Sequence, residues 1–203
     1  MPIYKAGQSA GGGGGGGGGG FTSMNQGLIL DAYLLSSVSP ETNSLVSATI
    51  SSSKLLLSPF SISKDYTFDR VGLNITSSSG TVIRIGLFAM DFDAETATLV
   101  TDFGTVSSTS TGAKEIAISA AISASNFYLG ITMNGNCGIT SINDPTTLGS
   151  IHGAKQATQI SNAIPYFNIS STDSTLGFQS SCSVDATDLN STDLPSIWLR
   201  RSV

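Results

Sequence analysis

Three acidic side chains alternate in the stretch DFDAET: Asp91, Asp93 and Glu95. Carboxylates spaced this way can supply oxygens to calcium, but an EF-hand loop also needs Gly at its sixth place and Glu at its twelfth. Counted from Asp91, those places hold Thr96 and Asp102. Asp hydrogen-bonds its own backbone in turns, so the stretch reads as a polar hairpin loop. The one histidine, His152, has no G-x-S-x-G nucleophile elbow to serve, and reads as a loop residue. A zinc site from His152, Cys137 and Cys182 would need a close ligand pair such as C-x-x-C, and none is present. The expectation is therefore no metal, no cofactor and no catalytic residue. The two cysteines read as separate small hydrophobes in a reducing compartment, with a disulfide formed later, outside the cell, as the alternative. Sugar binding is the remaining chemistry, because aromatic faces beside Asn, Asp and Ser can hold a polysaccharide. Tyr166, Phe167 and Trp198 are the candidate glycan contacts. The competing reading, favoured for Phe178 and Trp198, is that large aromatics fill the core.

These side chains need a scaffold, and composition bounds it. The chain has 203 residues, of which 39% are hydrophobic and only 11% charged. Ser and Thr carry most of the polarity, which suits half-exposed strands more than helices. Net charge is −5, and Arg200-Arg201 is the only adjacent basic pair. Phosphate backbones need clustered Lys and Arg, so nucleic acid is not expected as a partner. MPIYKAGQSA lacks an apolar signal core, and no run of eighteen apolar residues exists. These features predict no membrane insertion and assembly in a cytoplasm.

Period-two alternation marks the strands. In DYTFDRVGLNIT the apolar phase slips at Asp69-Arg70, which predicts a bulge. TVIRIGLFAMD puts Ile83, Ile85 and Leu87 on one face and Arg84, Gly86 and Phe88 on the other. KEIAIS aligns Ile116 with Ile118, and NFYLGITMNG aligns Phe127, Leu129, Ile131 and Met133. PSIWLRRSV sets Ile197 and Leu199 against Trp198 and Arg200. Turns are expected at 77–80, 91–96, 108–112 and 134–136. Strands at this spacing predict an all-β sandwich or barrel. The loop-rich stretch 143–190 holds the one place for a short helix, 153–163.

The strand sequences resemble a β-sandwich domain of tailed-bacteriophage structural proteins. The matching residues are Pro59-Phe60, Phe68-Asp69-Arg70, Arg84-Ile85-Gly86-Leu87-Phe88, Gly104-Thr105-Val106, Thr111-Gly112-Ala113-Lys114-Glu115-Ile116 and Phe127-Tyr128-Leu129, with LPSIWLR near the end. They span about residues 54 to 135, less than half of the chain. The resemblance implies a virion location and a jelly-roll-like antiparallel sandwich in a tail fibre, head fibre or decoration protein. It carries over no catalytic residues, and 143–190 departs from its pattern.

Ten consecutive glycines occupy 11–20. Such a segment spans roughly 17 Å as a flexible coil, or about 31 Å when extended. It lacks the Gly-X-Y repeat of collagen and the Lys-Ser/Thr ending of a phosphate loop. It reads either as a slack tether or as an ordered bundle packed on a symmetry axis, since bare backbones approach closely. The expected layout is an anchor and glycine arm (1–27), a transition segment (28–53) and a β-sandwich domain (54–203). Met1, Pro2, Ile3, Tyr4, Gly11, Gly15 and Gly20 mark the anchor and assembly arm. The expected partners are other copies of the chain, with a trimer the guess from closed rotational symmetry, other virion proteins through the arm, and host-surface glycans. A small fibre or spike leads. A capsid decoration protein and a carbohydrate-binding or carbohydrate-active protein are the alternatives.

Overall fold

The computed structural model describes residues 33–35, 45–52, 54–62, 64–91, 93–142, 166–170, 176–184, 189–190 and 194–202. The arm residues Met1 to Gly20, His152 and the helix expected at 153–163 lie outside them. The described chain is all β, with no helix. Its strands are β1 (Tyr33–Leu35), β2 (Leu45–Ile50), β3 (Lys54–Ile62), β4 (Tyr66–Ser77), β5 (Val82–Asp91), β6 (Thr96–Ser107), β7 (Gly112–Ile122), β8 (Ser125–Met133), β9 (Cys137–Ile142), β10 (Tyr166–Ser170), β11 (Ser181–Ser183), β12 (Leu189–Asn190), β13 (Leu194–Pro195) and β14 (Ile197–Arg201).

Pairing is nested. β5 pairs with β6, β4 with β7, β3 with β8 and β2 with β9, all antiparallel. A long hairpin ribbon folded over on itself gives this order, with successive ribbon segments falling alternately in two sheets. The first sheet runs β2-β9-β4-β7 and the second β3-β8-β5-β6, the arrangement of a jelly roll. The stretch 28–53, read from sequence as a transition, supplies β1 and β2 to the first sheet.

The faces follow the alternation. Ile83, Ile85 and Leu87 from β5, Leu129, Ile131 and Met133 from β8, and Val71, Leu73 and Ile75 from β4 are buried in the main core between the sheets. Ile116, Ile118 and Phe127 pack against its margin. A second cluster covers the outer side of the second sheet: Leu55, Leu57, Phe88, Ala97, Tyr128 and Val184, joined by Phe178 and Leu99. Phe178 packs here, not between the sheets. Its ring meets Phe88 edge-on at 5.2 Å and lies where a side chain on Gly86 would be. The returning segment 176–184 thus forms a partial third layer. Burial pushes the Tyr128 phenol pKa up.

The expected turns are present, and Asp91 Oδ1 accepts from the backbone N–H of Asp93 and Ala94 at 3.0 and 2.9 Å. The acidic stretch is therefore a self-bonded hairpin loop. At one end of the sandwich, hydroxyls tie neighbouring loops together. Ser79 Oγ lies 2.6 Å from Thr81 Oγ1 and 3.1 Å from Ser108 Oγ, and Asn134 Oδ1 accepts from Val82 N–H at 2.9 Å. Such bonds satisfy backbone groups that the strands leave open.

Outside the second sheet, Arg84 holds Asp102 through Nε at 2.9 Å and through Nη2, and its Nη1 donates to Leu176 O at 2.9 Å. Burial works against the Asp102 carboxylate, yet hydrogen bonds from Arg84 and from Gly104 N–H hold its pKa below the ordinary value. A depressed carboxyl contributes stability that is present above the unfolded pKa of about 3.9 and is lost as pH falls through the folded value. Asp102→Asn is expected to cost about 1 kcal/mol at pH 7. The gap from wild type should close as pH drops below about 3.9. Urea unfolding at pH 7 and pH 3 checks this, and an equal gap at both would contradict it.

Candidate functional site

The strongest convergence of chemistry-bearing side chains lies on the outer face of the first sheet. β4 creates it by a kink. Phe68 and Val71 are both fully buried although two residues separate them, so Asp69 and Arg70 are both left outside. The ladder shifts register at this point, toward β7 between Phe68 and Arg70 and toward β14 between Arg200 and Arg201. The phase slip read from the sequence is therefore real, and it aims two opposite charges outward.

Each finds a partner across a strand. Arg200 on β14 holds Asp69 with two bonds, Nε to Oδ1 and Nη2 to Oδ2, both 2.8 Å. That bonding holds the Asp69 carboxyl below its ordinary pKa. Arg70 lies 3.8 Å from Glu115 on β7 and donates Nη1 to Asp69 O at 2.8 Å. Bidentate Arg–carboxylate pairs fix orientation as well as charge.

Between these pairs sits Trp198. In register it stands opposite Gly72, and Gly72 stands opposite Glu115. A Cβ on Gly72 would come within 2.4 Å of the indole ring and 2.3 Å of the Lys114 carbonyl oxygen. Glycine is required here by close approach, which lets the ring lie down on β4. Trp198 is half-buried, with one side against the sheet. Farther along the same face, Asn74 Nδ2 donates to Thr140 Oγ1 at 2.8 Å, and Ser47 Oγ meets Thr76 Oγ1 at 2.6 Å. At the other end, Lys64 Nζ and Arg201 Cζ each lie 5.4 Å from the centre of the Tyr66 ring, within cation–π range. One flat aromatic amid carboxylates, guanidinium groups, amides and hydroxyls can stack on a sugar ring and bond its hydroxyls.

The other two candidate glycan contacts are elsewhere. Tyr166 and Phe167 lie on β10, which pairs with β3 and β12 in the second sheet. They do not join Trp198 in one site. Sequence reasoning singled out Trp198 and missed Asp69, Arg70, Glu115 and Arg200. The slip at Asp69-Arg70 was the visible signal, but their partners depend on cross-strand register. Cys137 and Cys182 are unbridged, one buried and one half-buried. Among the described residues no group of three or more His, Cys, Asp or Glu could hold a metal ion. No helix among them is long and apolar enough to cross a membrane.

No family model and no curated protein matches the chain. Its site is thus argued from geometry alone.

Proposed function

We propose that this chain is a structural protein of a tailed-phage virion: a small homo-oligomeric fibre or spike, anchored by residues 1–27, that presents its jelly roll to host-surface glycans. The virion reading rests on the resemblance carried by residues such as Phe68-Asp69-Arg70. Support for display by the sandwich comes from one observation above others. β1, the first described strand, is an edge strand of the first sheet and is held by β14, with Tyr33 opposite Arg200. An arm preceding β1 would therefore enter the body beside the same face that carries Trp198. Traction on such an arm would fall on a strand already paired into the sheet.

Native mass spectrometry of the full chain and of a version lacking residues 1–20 tests the arm. A homo-oligomer whose copy number falls on removal of these residues is expected; a monomer in both overturns the self-assembled fibre. Labelling the particle then separates the leading reading from a decoration protein. Signal at the tail or a vertex supports the fibre, and signal over the head lattice transfers the role to capsid decoration. On a glycan array, binding lost in Trp198→Ala is expected, and a flat array for the wild type removes the glycan part of the proposal.

A further inference from the structure

The first sheet ends on one side at β7. Among the described residues β7 pairs only with β4, from Gly112 to Ile122. Its other backbone edge faces outward along eleven residues that contain no proline. A long open edge is a template for another strand, and proteins that avoid such pairing place charges, prolines or short strands there. β7 carries charge only at Lys114 and Glu115, both near its start.

Its side chains point the same way. Ile116, Ile118 and Ala120 are only partly buried against the main core. Val100 on neighbouring β6 is 50% exposed, the large hydrophobic residue that stands open among the described residues. On the outer side, Ala113, Glu115, Ala117, Ser119 and Ala121 are exposed, and all but Glu115 are small.

We propose that a second copy of this chain docks here, its β7 running antiparallel to the first about a two-fold axis through Ala117. The self-complementarity of the strand selects this occupant. About Ala117, Ile116 faces Ile118 of the other copy, Glu115 faces Ser119, Lys114 faces Ala120 and Ala113 faces Ala121. No charge meets a like charge. Axes through Lys114 or Glu115 would put like charges directly opposite, which destabilises a pair of strands. The isologous contact buries the same patch on both copies and joins two four-strand layers across one ladder. A register shift lies opposite Asp69, on the β4 side of Ile118 and Ser119. The alternation of β7 itself runs unbroken through it, with Ile116, Ile118 and Ala120 on one side throughout. This contact is between bodies, so it does not depend on the arm or on a virion location.

The test uses the full chain. In Ala117→Cys the two thiols would stand opposite each other at the axis, within disulfide reach for a directly opposed pair. Mild oxidation is expected to link most of this variant into dimers. Thr105→Cys, exposed on β6, and the wild type, with its own cysteines, give the background rate. Ala117→Lys and Ala117→Glu, both at an exposed position, are expected to weaken association about tenfold or more when alone. An equimolar mixture should restore it. Cross-linking of Ala117→Cys no faster than Thr105→Cys overturns the proposal, as does association of Ala117→Lys equal to that of the wild type.

Discussion

A chain ending at Ser196 is expected to lose its cooperative fold. The first sheet is split. One edge of β4 is taken by β7, and the other is shared, with Phe68 to Leu73 facing β14 and Ile75 to Ser77 facing β9. β13 runs beside β9 at Ile142 and Ser141, Ser196 N–H donates to Thr140 O at 3.0 Å, and the chain then crosses to β4 as β14. The segment is a wedge between two diverging strands. Removing it takes Ile197 and Leu199 out of the core, where both are fully buried. Each contributes about 1.5–3 kcal/mol by burial alone. It also opens the backbone of β4, leaves Asp69 without Arg200 and deprives β1 of its partner. Against a total stability of about 5–15 kcal/mol, the loss is large. Thermal denaturation followed by circular dichroism should show a transition lowered by on the order of 10–20 °C, or none. A truncated chain melting within about 3 °C of the full one would refute the wedge.

Phe68→Ala should be the most damaging of the single core truncations in this region. Phe68 is fully buried at the foot of the kink, edge-on to Phe60 at 6.3 Å and tilted against Tyr66 at 6.0 Å. Deleting such a ring removes its transfer energy and leaves a cavity, together about 3–5 kcal/mol. Tyr66 carries both Lys64 and Arg201 over its ring, so the end of the candidate site should loosen as well. The denaturant midpoint gives the measurement, and a loss under about 1 kcal/mol would mean that the kink does not depend on this ring. Val100→Ala, half exposed on β6, serves as contrast and should change stability by less than about 0.5 kcal/mol.

Much of the scaffold was legible in the amino-acid order because strand faces are a local property. Ile83, Ile85 and Leu87 fell inward and Phe88 outward as their alternation demanded. The Asp91 loop and the slip at Asp69-Arg70 also announced themselves within a few residues. Register between distant strands did not. Nothing near Trp198 says that it will lie on Gly72, 126 positions earlier, or that Arg200 will take Asp69. Tyr33 to Leu35 and Leu45 to Ile50 are short, and their apolar runs gave no clear period, so their places in the first sheet came only from their partners β14 and β9. Phe178 was rightly read as a packing residue, but the layer it joins was invisible. Its cover over Gly86 depends on a return of the chain to the outside of the second sheet.

The lateness of β14 in the chain sets an order of events during synthesis. β1 leaves the ribosome before every other described strand, yet its only described partner is β14, which emerges after all of them. Nested pairings of this kind fold slowly, since distant segments must meet before any contact is rewarded. The N-terminal region therefore gains its fixed attachment only once translation has passed Arg201. A prematurely terminated product would present an arm with no firm body behind it, and would be poorly suited to compete with complete copies for a place in a larger assembly.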